Sequence, residues 1–326
     1  MTVKLGFLGV GWIGRNRVEA MLATGKAEAI AICDPNPDMA LEAQKLAPEA
    51  TLVSSLDELL ALAPDGVVIA TPSALHAEQS IAALNAGAAV FCQKPLGRNA
   101  GEVEGVLEAA QRTNRLLGVD LSYRHTAAMR AIRDLTRSDQ LGRVFAADLV
   151  FHNAYGPGNA WFYDPKLSGG GCLIDLGVHL VDLALWLFDF PEVVSVHGRI
   201  LKEGRAPAAD EVEDFALGEI ELANGTTLRI ACSWNLSAGQ DADIRATFYG
   251  TRGGAEMRNE NGSFFDFVAD RFSGRNRERI AGYPDEWGGC AAAEWVEKLA
   301  SGERFEGSTT GLLQTARVLD QLYGRI

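Results

Sequence analysis

This sequence contains no Cys-x-x-Cys pair, no long uncharged apolar run and no excess of base, and each lack narrows what it can be. Its five cysteines, Cys33, Cys92, Cys172, Cys232 and Cys290, are odd in number and far apart. That pattern fits reduced thiols in a cytoplasmic protein better than a disulfide frame. Lysine and arginine total 30 against 43 aspartates and glutamates, a net charge of −13. Acid exceeds base on both sides of Ser122, so neither part is a basic module, and no nucleic-acid partner is expected. The apolar stretch at 181–190 contains Asp182 and Asp189 and cannot cross a bilayer. Residues 1–10 are too short for a signal peptide and lack a cleavage site. No membrane partner is expected.

What remains is ordinary globular material. Apolar residues make up 47% and charged residues 22% of 326, enough chain for about two domains. Up to Ser122, continuous apolar runs at 3–9, 29–33, 66–70, 88–92 and 116–119 alternate with helical patterns. Ser55 followed by Glu58 reads as a capping box, and Asn99 as the cap of a helix to about 113. Apolar strands separated by helices imply a parallel sheet covered on both faces. With right-handed crossovers this is an α/β, doubly wound Rossmann-type domain over 1–122.

The pattern changes over 123–326. Phe145, Ala147, Leu149 and Phe151 alternate with Asp148 and His152, a strand with one apolar face. Gly169-Gly170-Gly171 opens a helix to about 188. Strands are expected at 193–201, 214–222, 226–234, 243–249 and 254–258, with Asn224-Gly225 as a tight hairpin turn. Two helices close the chain near 287–300 and 308–323. This part reads as an α+β domain with a mostly antiparallel open sheet, suited to substrate binding and oligomerisation. The Arg271, Arg275, Arg277, Arg279 cluster reads first as a solvated loop or hairpin.

Gly9-Val10-Gly11-Trp12-Ile13-Gly14 fits G-x-G-x-x-G and lies where the first strand gives way to a helix. Gly9 permits a tight turn, Gly11 a close approach of backbone to pyrophosphate, and Gly14 close packing of helix on sheet. Asp34 ends the second strand, 20 residues beyond Gly14, where a carboxylate accepts hydrogen bonds from a ribose diol. The phosphate-loop alternative fails, because Arg15-Asn16 stand where Lys-Ser/Thr are needed. A carboxylate at 34 would repel a 2′-phosphate, which favours NAD(H) over NADP(H); Arg15 is the cation that could swing toward such a phosphate.

Asp175, His179 and Asp182 follow at spacings of four and three, on one face of an otherwise apolar helix. Ionisable groups there need partners or a cleft. A hydrogen-bonded core pair is one account of them, and an acid/base histidine with an unperturbed pKa near ~6.5 is the other. A metal pair is disfavoured: H-E-x-x-H is absent and no third ligand is evident, so no metal is expected. Lys94, in Gln93-Lys94-Pro95, follows the fifth strand, at the edge of the sheet where ligands bind; it is either a solvated loop lysine or a holder of substrate oxygen.

In order along the chain, the glycine loop, Thr71-Pro72 through His76, Lys94-Pro95, and Gly169-Gly170-Gly171 through Asp175 and His179 resemble the Gfo/Idh/MocA family of glucose–fructose oxidoreductase and inositol dehydrogenase relatives. The likeness covers essentially the whole chain. It implies that Lys94, Asp175 and His179 are catalytic, with His179 moving the hydroxyl proton. It also implies that Thr71, Pro72 and His76 line the cofactor, with Trp12, Ile13 and Lys94 beside it, and that the bond before Pro95 is cis. Most members have Glu before Lys-Pro, whereas this chain has Gln93, kept here as a cofactor contact. The implied reaction is hydride transfer between NAD(H) and a secondary alcohol or ketone of a sugar or polyol. Tyr123, Arg124, His152, Tyr155, Trp161 and Tyr163 are candidate substrate contacts, each also explicable as packing or surface. A homodimer or homotetramer is expected. A non-catalytic NAD(P)-binding regulator and an NAD-dependent glycoside-cleaving enzyme are the alternative functions.

Overall fold

The computed structural model describes residues 1–305, 307 and 310–326. They form two compact units, Met1–Ser122 with Gly289–Thr310, and Tyr123–Gly288 with Gly311–Ile326. The first unit runs β1 (Val3–Leu8), α1 (Trp12–Ala23), β2 (Ala27–Cys33), α2 (Pro37–Gln44), β3 (Thr51–Val53), α3 (Leu56–Ala61), β4 (Gly66–Ile69), α4 (Ser73–Asn85), β5 (Ala89–Cys92), α5 (Ala100–Thr113) and β6 (Leu117–Val119). Its strands are parallel in the order β3-β2-β1-β4-β5-β6, the doubly wound arrangement whose ligand crevice lies at the switch point between β1 and β4. β4 and β5 are buried at every position, as an apolar run without alternation requires. The Ser55 and Asn99 side chains accept the backbone N–H groups of Glu58 and Glu102 and start α3 and α5. α1 differs: it begins at Gly11 with no side-chain cap.

The second unit runs α6 (Ala127–Arg137), β7 (Val144–Asn153), α7 (Pro165–Ser168), a π-helical turn (Leu173–Gly177), α8 (Val178–Leu187), β8 (Val193–Leu201), β9 (Phe215–Leu222), β10 (Thr227–Ser233), β11 (Ala242–Gly250), β12 (Gly254–Asn259), β13 (Phe267–Ser273) and β14 (Asn276–Ala281). Eight strands lie in the order β14-β13-β12-β11-β7-β10-β9-β8. All neighbours are antiparallel except β7 and β10. One face carries Leu149, Phe151, Ile230, Ile244 and Phe248 into a core shared with Leu176, Leu180 and Leu183. The stretch Pro165–Leu187 is long and apolar enough to span a bilayer, and it is mostly buried inside the protein. Its apolarity is therefore accounted for by packing on the sheet.

Two helices follow, α9 (Cys290–Ala300) and α10 (Thr310–Leu322); residues 308 and 309 of the expected final helix lie outside the described residues. The expected second part, 123–326, is interrupted, because Gly289–Thr310 belongs to the first unit. Trp295 explains this. Its ring packs on Phe91 with centroids 5.7 Å apart, and a Cβ at Gly66 or Gly118 would come within 2.6 Å of it. The indole thus lies on a bed made by two glycines and a phenylalanine of β4, β5 and β6. α10 instead packs in the second unit, where Leu319 and Leu322 join the core. The arginine cluster proves to be a hairpin, β13–β14, in which Arg277 and Arg279 pair with the buried Asp270. All five cysteines are free thiols.

Trp295→Ala is expected to lower unfolding free energy by ~3–5 kcal/mol through the cavity it leaves on the parallel sheet. Gly118→Val should destabilise by displacing the same indole. Denaturant melts check both, and an unchanged midpoint in Trp295→Ala would show that α9 contributes nothing to the first unit.

Candidate active site

In the first unit the glycine loop has the geometry its spacing implies. Gly9 sits at φ +81°, and a Cβ there would press on the Ala70 carbonyl oxygen at 2.6 Å. A Cβ at Gly14 would strike the Gly9 carbonyl, so α1 can approach the loop only without one. A Cβ at Gly11 meets nothing within 4 Å, so that side of the loop is open. The uncapped amides at the start of α1 and the open loop fit a pyrophosphate. Asp34 stands beside them: its Oδ2 accepts the Val10 N–H at 2.7 Å and its Oδ1 accepts the Asn36 N–H at 2.9 Å. Trp12 is exposed and Ile13 half-buried. An open loop, free amides and an adjoining carboxylate together fit a dinucleotide.

The ends of β4 and β5 supply the next group. The Lys94–Pro95 peptide bond is cis. Thr71 Oγ1 donates to Gln79 Oε1 at 2.6 Å, and Pro72 precedes α4. His76 is buried, with Nδ1 2.7 Å from the Pro95 carbonyl oxygen and Nε2 2.7 Å from that of Thr71. Burial pushes its pKa down, and the two carbonyls push it back up. The resemblance assigns His76 to the cofactor lining; in the structure each ring nitrogen faces a backbone carbonyl, to one of which the neutral ring donates its N–H. It shapes the strand-end loops by clamping the turn after β4 to the turn after β5. Gln93 is buried and donates from Nε2 to Asp120, which also accepts from Arg17 Nε. Sequence reasoning passed over Asp120 and Arg17.

In the second unit Asp175 lies in the π-helical turn and His179 at the start of α8. The uniform α-helix expected from Gly171 to 188 is absent at this point. π turns widen a helix by one residue and occur disproportionately at functional sites. Here the preceding amides are engaged from outside. The buried Glu213 accepts the Gly171 and Leu173 N–H groups, each at 2.9 Å, and the Tyr323 hydroxyl at 2.7 Å. Tyr323 Oη in turn accepts the Ile174 N–H at 3.1 Å. Burial raises the Glu213 pKa against the pull of those donors. Asp175 Oδ2 accepts the indole N–H of Trp234 at 3.1 Å, and Trp234 is 2% exposed. The His179 ring packs on Tyr123 with centroids 4.7 Å apart and lies 6.4 Å from Phe151. Trp234 was overlooked, although the alternation of β10 places it on the face of Ile230 and Cys232. Glu213 and Tyr323 had no local signal.

The candidate substrate contacts divide. Arg124 Nε donates to Asp182 Oδ2 at 2.7 Å and its Nη2 pairs with the other oxygen, a fork that satisfies a buried carboxylate. Burial raises the Asp182 pKa and Arg124 lowers it. Arg124 is thus committed inside the fold. Tyr123 is core, touching Phe151, Phe267 and Trp287 as well as His179, and burial raises its hydroxyl pKa. His152 points to the opposite face of the sheet from Phe151, hydrogen-bonds Ser233 Oγ at 2.7 Å and stacks on Phe215. Strand alternation alone removes it from the His179 side. Tyr163 packs edge-on against Trp234 at 5.6 Å and donates to the Pro157 carbonyl at 3.0 Å. Trp161 stacks on Phe162, which meets Trp234 at 6.3 Å, and the exposed Tyr155 faces Phe264. Trp161 and Tyr163 therefore connect through aromatic contacts to the indole that holds Asp175.

Comparison with known proteins agrees with this fold. Residues 3–121 match the oxidoreductase family with NAD-binding Rossmann fold, and residues 129–256 match the GFO/IDH/MocA C-terminal domain. The chain is 29% identical over 246 residues to D-glucoside 3-dehydrogenase of Escherichia coli K12, covering 71% of this chain and 69% of that protein. It is 30% identical over 276 residues to the putative UDP-kanosamine synthase oxidoreductase subunit of Amycolatopsis mediterranei, covering 79% and 75%. The fold is that of levoglucosan dehydrogenase, solved with NADH and levoglucosan: TM-score 0.85 at 22% identity, over 99% of this chain and 97% of that one. The chain belongs to the GFO/IDH/MocA family of NAD(P)-binding oxidoreductases.

Proposed function

We propose that the protein moves a hydride reversibly between NAD(H) and a secondary alcohol or ketone of a sugar or polyol, with Lys94, Asp175 and His179 acting at the reacting hydroxyl. The observation that carries this reading is Asp175 in the π-helical turn and His179 at the start of the buried α8 that follows it, the carboxylate held by an indole N–H, in a chain that also has a dinucleotide-binding fold. The names of the sugar dehydrogenases it resembles support the substrate class. When bound, the nicotinamide supplies the hydride acceptor or donor.

The residues of the chain do the rest. His179 takes the hydroxyl proton as the alcohol is oxidised and returns it in the reverse direction. Asp175, fixed by Trp234, holds the substrate hydroxyl, and the Lys94 ammonium offsets negative charge as it grows on the oxygen. Orientation of this kind removes much of the entropic barrier before any bond changes. Glu213 and Tyr323 serve this arrangement by securing the turn that carries Asp175. The Asp34 carboxylate beside the glycine loop favours a ribose diol over a 2′-phosphate, so NAD(H) is the proposed cofactor. We place the enzyme in the cytoplasm as a homodimer or homotetramer. The sheet face bearing Asp148, Leu217, Arg229 and Tyr249 is the surface for pairing, since Leu217 and Tyr249 are exposed there.

Lys94→Ala and His179→Ala should still bind NADH and lose turnover by roughly 10²-fold or more, the scale of lost acid/base help. The assay is NADH fluorescence in both directions across inositols, aldoses, ketoses and sugar acids; near-normal turnover in both variants removes the mechanism. Titrations with NADH and NADPH are expected to favour NADH, and tighter NADPH binding would reverse the cofactor assignment. Light scattering is expected to give a mass of two or four chains, and a monomer would refute the oligomer.

A further inference from the structure

The residue before Lys94 is the neutral Gln93, and the structure holds a carboxylate immediately behind it. Arg17 of α1, Gln93 at the end of β5 and Asp120 just after β6 meet in one cluster, with 6%, 8% and 1% of their surfaces exposed. A single Asp120 oxygen, Oδ2, accepts both Arg17 Nε and Gln93 Nε2. The other, Oδ1, is buried with no hydrogen-bond partner among the described residues. Backbone bonds hold the parts in register: the Gln93 N–H donates to Ile69 at 2.8 Å and the Asp120 N–H to Cys92 at 2.9 Å.

A carboxamide has a donor end and an acceptor end, whereas a carboxylate paired to a guanidinium can only accept. Asp120 therefore binds the –NH2 end of Gln93 and turns its carbonyl, Oε1, away. The side chain before Lys94 then presents an acceptor, as a glutamate there would, without a second negative charge against Asp120. Two carboxylates at that distance would not both stay ionised.

We propose that Asp120 is a positioning residue that fixes the polarity of the Gln93 amide, so that Gln93 Oε1 accepts a hydrogen bond from the nicotinamide half of the bound cofactor. Arg17 keeps Asp120 in place and ties the pair to the helix that opens at the glycine loop. The proposal rests on the NAD(H) reading given above.

The test is NADH binding by fluorescence titration, with thermal melts, on the full chain and on Gln93→Glu, Asp120→Asn, the Gln93→Glu/Asp120→Asn double variant, and Gln93→Met. Gln93→Glu is expected to weaken NADH binding by ~10-fold or more, from two apposed carboxylates, and Asp120→Asn by several-fold, from an amide free to turn. The double variant restores one carboxylate and one amide with their places exchanged, and is expected to return to within ~3-fold of the parent, a strong coupling. A purely structural cluster would show the loss and rescue in the melting temperatures while the folded variants bind NADH like the parent, and either that result or penalties in NADH affinity that simply multiply overturns the proposal. Should Asp120→Asn fail to fold, Gln93→Met decides. It leaves the Arg17–Asp120 pair intact and removes the acceptor, so about tenfold weaker binding with little change in melting temperature supports the proposal, and unchanged affinity overturns it. A parent chain that does not bind NADH overturns the cofactor reading and this proposal with it, whereas a parent that binds NADH with a multiplicative cycle overturns this proposal alone.

Discussion

Buried carboxylates must be met by donors, and that single requirement organises much of both units. Asp182 lies inside the second unit on an apolar helix, where the two-pronged bond from Arg124 and the charge of nearby His125 offset its burial. Glu213, equally buried, is met by two backbone amides and the Tyr323 hydroxyl. In the first unit Asp120 is met by Arg17 and Gln93. Removing one partner of such a pair typically costs ~3–5 kcal/mol, because the remaining charge stays in a medium that cannot solvate it. Each of these carboxylates touches an element that carries a candidate reactive group: the helix of His179, the turn of Asp175 and the strand end of Lys94. The networks that keep the fold intact therefore also hold those groups in place.

The sequence was most legible where a backbone requirement forces one residue type. Gly9 must adopt positive φ and Gly14 must lie against the Gly9 carbonyl, so the loop could be read from spacing. Five of the six parallel strands were readable as continuous apolar runs, which in β4 and β5 are buried at every position, whereas the short β3 is mostly exposed. Strands β8 to β12 followed from alternation and from the Asn224-Gly225 turn. β13 was missed because it carries Asp270 and Arg271 in its middle. Asp270 is buried there against three arginines, Arg258 of β12 and Arg277 and Arg279 of β14, that only the folded sheet brings to it.

Partners contributed by distant segments were the part that one-dimensional reading does not reach. Glu213 and Tyr323 are 110 residues apart, and Arg17 and Asp120 are separated by 103. Neither pair leaves a periodic or local trace, so the candidate residues could be named but their supports could not. The return of Gly289–Thr310 to the first unit belongs to the same class. Trp295 looks like any core aromatic until Gly66 and Gly118 are seen beneath it.

The candidate substrate contacts show where chemistry and geometry part company. Arg124 and His152 were singled out as substrate contacts, yet Arg124 forks onto Asp182 and His152 hydrogen-bonds Ser233 through Nδ1. A polar side chain enclosed in a core must be satisfied before it is available for anything else. Trp161 and Tyr163 escape that constraint, because an aromatic face needs no hydrogen-bond partner and remains able to bind the apolar face of a ring. Their contacts lead through Phe162 and Trp234 to the Asp175 carboxylate. A change in this aromatic row would therefore reach the Asp175 carboxylate through the orientation of one indole N–H.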